Sequence, residues 1–190
     1  MNTRILLLLL ITLPANTSWA ADSRWYLGGG IGITNFSLDS SISGAAPDID
    51  SKESGLQLFA GAKIGSHWAI ETGFVYFGEA QGFDNAQNAE LNYSAYGLYA
   101  NGQYHIPLGK KASLDLMGGW LLGKAEAEKK ATDNPGKAKF DDNGGMVGLG
   151  FTWLSTDTVY LRGTANYYLV DFDKGIKEPW RLGVDVIWDF

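Results

Sequence analysis

Six charged residues each stand between uncharged neighbours: Lys63, Glu71, Asp115, Arg162, Arg181 and Asp185. Such residues can pair as ions in a low-dielectric interior, or they can line a gated path for small ions. Pairing is the preferred reading, because an interior charge without a partner is far costlier than a matched one. Hydrolysis would need a nucleophile activated by a base such as histidine. The chain offers only His67 and His105, and both fall where turns are expected. It has no cysteine, which removes disulfides, thiolate metal sites and cysteine nucleophiles. Gly28-Gly29-Gly30-Ile31-Gly32 is glycine-rich, but no helix is expected after it, so it reads as a place of tight curvature and close packing rather than a phosphate cradle. The acidic pairs in Asp48-Ile49-Asp50 and Asp171-Phe172-Asp173 could face a divalent cation. Neither has the glycine and glutamate spacing of a calcium loop, so solvated loop charge is preferred. No catalytic residue, cofactor or metal site is therefore expected. The net charge of -6 argues against nucleic acid, whose phosphates call for a basic face.

The elements that hold the six charges show in the alternation around them. In the closing stretch, Trp180, Leu182, Val184, Val186, Trp188 and Phe190 occupy one parity, and Arg181, Gly183, Asp185, Ile187 and Asp189 the other. Successive side chains of a strand point to opposite faces, so this is a strand with one wholly apolar face. Seven earlier stretches repeat the pattern, beginning at Trp25, Leu56, Trp68, Tyr96, Ala112, Gly145 and Val159. None of their apolar-parity positions carries a charge. The opposite parity holds Gln57, Lys63, Glu71, Asn101, Gln103, Asp115, Arg162 and Asn166. A lysine or arginine facing lipid at the bilayer midplane costs about 2–4 kcal/mol, so the uncharged face is expected outward against hydrocarbon and the charged face inward. A soluble lipocalin-like barrel would reverse the two faces. Pairing the last strand with the first would remove both open edges. The prediction is an all-β, eight-stranded antiparallel up-and-down transmembrane barrel.

Three further features agree. Residues 1–20 combine a weakly positive start, an apolar run from Ile5 to Leu13 and a small-residue site ending at Ala20, which reads as a cleaved secretory signal peptide before a barrel domain of residues 21–190. Short connections at Gly65-Ser66-His67, Pro107 to Lys111 and Leu154 to Asp157 alternate with long ones at Leu38 to Glu53, Gly78 to Asn92, Lys124 to Asp142 and Val170 to Glu178. Outer-membrane barrels keep short turns in the periplasm and long loops outside. The stretch Lys124 to Asp142, with near-balanced charge, reads as a mobile surface loop. Aromatic residues mark two expected interfaces: Trp25, Trp68, Tyr104, Trp153, Trp188 and Phe190 near the short turns, and Tyr76, Tyr96, Trp120, Tyr167 and Trp180 near the long loops.

The chain resembles the small eight-stranded outer-membrane barrels of the OmpA/OmpX-like family, above all the OmpA-type transmembrane domain. The resemblance rests on Trp25-Tyr26-Leu27-Gly28, Leu58-Phe59-Ala60-Gly61-Ala62-Lys63, Asp115-Leu116-Met117-Gly118-Gly119-Trp120, Gly148-Leu149-Gly150 and the closing strand. Arg181, Gly183, Val186, Trp188 and Phe190 resemble that group's C-terminal insertion signal, which implies the barrel-assembly machinery and periplasmic chaperones as partners in biogenesis. Glu71 and Arg162 match an acidic and a basic lumenal position of the family pattern, whereas Asn101 and Thr152 stand where lysine and glutamate are usual. With the chain ending at Phe190, the peptidoglycan-binding domain of some relatives is not expected. The resemblance implies outer-membrane location, contact with lipid and lipopolysaccharide, and four extracellular loops free to meet a host or surface ligand. The expected role is structural or surface-interactive. A porin-like ion conduit is the alternative, and a lipid A-modifying enzyme a weaker one, because both histidines fall at the leaflet opposite to lipid A.

Overall fold

Alternation of apolar and polar residues over more than ten positions cannot be satisfied by a helix, whose faces repeat every 3.6 residues. The computed structural model describes residues 24–38, 52–84, 89–130, 136–172 and 176–190, and all regular structure among them is strand. The strands are β1 (Arg24–Leu38), β2 (Lys52–Ile64), β3 (Trp68–Asp84), β4 (Ala89–Pro107), β5 (Ala112–Lys130), β6 (Gly136–Leu154), β7 (Val159–Leu169), β8 (Asp171–Phe172) and β9 (Ile176–Asp189). Each wall strand pairs antiparallel with its neighbours, and β9 also pairs with β1, from Tyr26↔Asp189 to Leu38↔Ile176. Of the nine strands, β8 is a two-residue ribbon on β9, which leaves eight in the closed wall. The expected signal segment, Asp48-Ile49-Asp50 and Asp173 lie outside the described residues.

The uncharged parity faces out. Ile31, Leu58 and Val184 are 74 %, 61 % and 60 % exposed, whereas Glu71, Asp115, Arg162, Arg181 and Asp185 are 0–1 % exposed on the other face. This is the transmembrane arrangement, not the soluble one. Glycine on the inner face of β1 makes room for large lumenal groups: a Cβ on Gly28 would collide with the Phe59 ring, and one on Gly30 with Asp185. The expected close packing at this run is what the structure contains.

Two features go beyond the sequence reading. First, the inner face is polar only in part. Toward the long-connection end, Val75, Phe77, Leu121, Tyr168 and Val170 form a layer only 0–1 % exposed, with the Phe77 and Tyr168 rings edge-to-face at 4.9 Å. Phe77 keeps the inward parity of Glu71 and Val75, and β3 then carries a bulge between Tyr76 and Gly78, where Gly78 supplies a positive φ of 108°. The bulge also switches parity, so that Tyr76 and Glu79 both lie on the outer face. Second, the stretch Lys124 to Asp142 is mostly not a loop. β5 and β6 stay paired from Ala112↔Trp153 out to Lys129↔Gly136. β3 and β4 likewise stay paired to Asp84↔Ala89. The charges of these stretches alternate along exposed paired strands, and the two long hairpins form a four-stranded blade that rises beyond the girdle on one side of the barrel.

Candidate functional site in the barrel lumen

Arg162 on β7 is the hub. Its Cα partner across the ladder is Asp185 on β9, and its Nε donates to Asp185 Oδ2 at 3.2 Å. Its Nη1 reaches Glu71 Oε2 on β3 at 2.8 Å and donates more weakly to Gln103 Oε1 at 3.4 Å. The guanidinium lies over the Phe59 ring, 4.5 Å from its centroid. Glu71 also accepts from Tyr26 at 3.2 Å and from Tyr99 at 2.9 Å. The Tyr99 hydroxyl in turn accepts from Gln57 Nε2 at 2.9 Å, and Gln57 Oε1 accepts from Arg181 Nη1 at 3.2 Å. Arg181, Gln57, Tyr99, Glu71, Arg162 and Asp185 therefore make one continuous chain of bonds through the lumen. Five strands are tied together through their inner faces.

Four of the six sequence-selected charges lie in that chain. The other two do not. Lys63 pairs with Asp189 at 2.8 Å and sits 4.3 Å from the Tyr160 ring centroid, at the short-turn mouth. Asp115 is held by Ser113 at 2.8 Å, by Thr152, and by His105 Nδ1 at 2.7 Å, not by lysine or arginine. The expected single ionic network is thus one chain and two separate groups. Thr152 serves Asp115 as a donor, and Asn101 accepts from Gln103 Nε2 at 3.1 Å, so hydrogen bonds occupy the two positions where family charges are absent.

His105 also corrects the sequence reading: it is a residue of β4, not of a turn. His67 does lie in the turn, with its Nδ1 2.6 Å from Ser66 Oγ. The His105–Asp115 pair has the look of a base and its orienting carboxylate. However, Ser113 donates to the same carboxylate oxygen as His105, so the pair does not activate that hydroxyl. Tyr26, Tyr99, Gln57, Gln103 and Asp189 also carry the site and were not selected with it. The available signal is parity: each lies on the charged face, where a search for charge alone passes over the two phenols and two amides, and Asp189 stands one residue from the chain's last.

The interface aromatics lie on the outer face. Trp25, Trp68, Tyr104, Trp120, Trp153, Trp188 and Phe190 are exposed, and Tyr76, Tyr96, Tyr167 and Trp180 are partly so. Register brings Trp68 beside Tyr104 at the short-turn end, with ring centroids 4.9 Å apart. It pairs Tyr76 with Tyr96 and Tyr167 with Trp180 at the other. Gly183, Val186, Trp188 and Phe190 lie on or at the end of β9, and the Phe190 amide donates to the Trp25 carbonyl at 3.0 Å.

Beyond Tyr76 and Tyr96, the blade's outer face carries a ladder of charge. Lys139 bonds Glu126 at 2.8 Å, Lys137 lies 3.2 Å from Glu128, and Lys124 lies 3.8 Å from Asp141. A groove of about 340 Å3 runs over the first two of these pairs. The Lys139 ammonium beside Glu126 holds its carboxyl below the usual glutamate range, and Lys139 is raised in return. A depressed folded-state pKa gives stability that is present above the unfolded value and lost as pH falls through the folded one. Both groups are open to solvent, so the contribution is small. In an NMR titration, Glu126 should protonate below an ordinary glutamate, and Lys139→Gln should return it to that range. No change on substitution would mean the pair does not form in solution.

A closed eight-stranded wall, apolar outside and hydrogen-bonded inside, with aromatic rings at both rims, defines a transmembrane barrel of the outer-membrane type. The chain belongs to the outer membrane protein beta-barrel domain family, whose pattern matches residues 5–187. Among solved structures it is similar to the attachment invasion locus protein Ail of Yersinia pestis, at 13 % identity over 87 % of this chain and 99 % of that one, with a TM-score of 0.60. It is likewise similar to Neisserial surface protein A, at 14 % identity over 87 % and 97 %, with a TM-score of 0.63. For OprG of Pseudomonas aeruginosa the values are 13 %, 88 %, 95 % and 0.60. Identities this low establish a shared fold. No curated protein sequence matches the chain. The family places the protein in the bacterial outer membrane.

Proposed function

We propose that this protein is a non-catalytic structural barrel that displays its outer hairpins to the cell's surroundings. The observation that carries the reading is the buried layer of Val75, Phe77, Leu121, Tyr168 and Val170, stacked on the side-chain network around Arg162. An ion crossing it would have to shed its water among apolar side chains, so the interior serves as a strut and the exterior is left to meet partners. Outer-membrane lipid and lipopolysaccharide surround the wall, and the barrel-assembly machinery receives the closing strand during biogenesis. The blade is the surface best suited to a host or surface ligand. Ail was solved with a heparin analogue, sucrose octasulfate. On this blade each of Lys124, Lys137 and Lys139 already faces a carboxylate, which favours a partner of mixed charge over a sulfated polyanion.

The test is planar-bilayer conductance of the folded protein. It should give no steady openings, and Arg162→Ala should add none, because the apolar layer stays in place. Steady openings that change with Arg162→Ala would favour the narrow conduit instead. Binding of intact cells to a surface ligand should then depend on the blade, and replacing the outward charges Glu126, Glu128, Lys137 and Lys139 with serine should abolish it without affecting barrel assembly.

A further inference from the structure

The short-turn mouth contains a second feature, a cavity of about 200 Å3. It is several times the roughly 30 Å3 share of one water and smaller than the roughly 300–1,000 Å3 of sites for drug-sized ligands. Its rim includes Ser66 and Pro107, and its charged or chargeable lining residues are Lys63, His105 and Arg162, beside the phenols Tyr26 and Tyr160. No aspartate or glutamate lines it. The carboxylates stand one bond behind these basic groups: Asp189 behind Lys63, Asp115 behind His105, and Glu71 and Asp185 behind Arg162.

Polar accounting points the same way. Among the lining residues, two have buried side-chain atoms without a partner, and both atoms are nitrogens: Arg162 Nη2 and His105 Nε2. Arg162 itself is 1 % exposed. A guanidinium nitrogen can only donate. His105 Nδ1 faces a carboxylate oxygen and therefore carries hydrogen, which leaves Nε2 an acceptor when the ring is neutral and a donor when it is protonated. An acceptor that arrives with a proton would satisfy both nitrogens together.

We propose that this mouth binds a small oxyanion, a carboxylate or a phosphate, taken up together with a proton on His105. Charge explains the coupling. Glu71, Asp115, Asp185 and Asp189 are four buried carboxylates, whereas Lys63, Arg162 and Arg181 are three permanent cations. The interior is therefore not ready for another negative charge until His105 supplies the fourth positive one.

The experiment is calorimetric titration of the full chain, folded in lipid nanodiscs, with inorganic phosphate and separately with acetate, at about pH 6 and about pH 8. The expected result is saturable binding at the lower pH that weakens about tenfold or more at the higher, in keeping with one coupled proton. Saturation by both ligands would indicate a general oxyanion site; saturation by one alone would identify its class. His105→Gln should remove the pH dependence, and Lys63→Gln should weaken binding at both pH values. Folding of each variant is checked by its heat-modifiable mobility on gels. Failure to saturate with either ligand, or saturation unchanged by both substitutions in folded protein, would overturn the proposal.

Discussion

Arg162→Ala should destabilise the folded barrel by about 3–5 kcal/mol, the range for removing one partner of a buried ion pair. The size follows from what is left behind. Glu71 and Asp185 are 1 % and 0 % exposed, and Arg162 is the only cation bonded directly to either among the described contacts. Without it, two carboxylates face each other across the lumen in low dielectric, and one or both must take a proton or draw in water. The test is reversible urea unfolding in lipid vesicles, with wild type and variant compared by their midpoints. The same argument makes a second, opposite statement. Arg162→Met combined with Glu71→Gln and Asp185→Asn should recover most of the loss, because replacing a whole buried ionic group is often neutral. A loss below about 1 kcal/mol for the single variant would place it among exposed pairs and would mean that water screens the cluster. If the triple variant were as unstable as the single one, packing of the guanidinium on Phe59, not charge, would be the larger effect.

Much of the wall was legible because a membrane barrel enforces parity at nearly every position. Leu58 must face hydrocarbon and Gln57 must not, and a rule with period two is easily read. The charges at Glu71, Arg162, Arg181 and Asp185 followed from the same rule, since the far side of an apolar face can only be the lumen. What lay beyond reach depended on pairs of strands rather than on one. A bulge is a relation between β3 and β4, so nothing in Tyr76-Phe77-Gly78 alone announces that the alternation switches just past Phe77. The apolar layer it joins was hidden for the same reason, because Val75, Leu121 and Tyr168 belong to three strands that meet only on closure. Lys124 to Asp142 misled by composition. Its lysines and glutamates read as solvated loop, yet cross-strand pairing of Glu126 with Lys139 and of Glu128 with Lys137 is a pattern that two exposed paired strands favour. His105 lies just before the turn at Pro107 to Lys111, yet proline is tolerated at a strand's end and β4 runs up to it, which carries His105 into the strand.

Ala100→Arg should cost about 2–4 kcal/mol in the same unfolding assay, the penalty for arginine on the lipid face of a barrel near the midplane. Ala100 lies on the exposed side of β4, midway between the rim residues Tyr96 and Tyr104, and it pairs with Thr72 on one side and Trp120 on the other. It touches none of the lumenal network, so the cost has no route through lost ion pairs. It also leaves no cavity, because the side chain it removes is a methyl group. Depth provides the control. Tyr104→Arg, on the same strand and face at the short-turn rim, should cost only about 0–1 kcal/mol in charge placement, since there the guanidinium can reach the headgroups. Ala100→Leu should be tolerated or slightly stabilising. A gradient that falls from Ala100 toward Tyr104 requires hydrocarbon against the outer face, since water would solvate arginine equally at both positions. Equal and small effects at the two sites would mean that the exposed leucines, isoleucines and valines meet something other than lipid, and the placement of every lumenal charge would then have to be argued again from the opposite side of the wall.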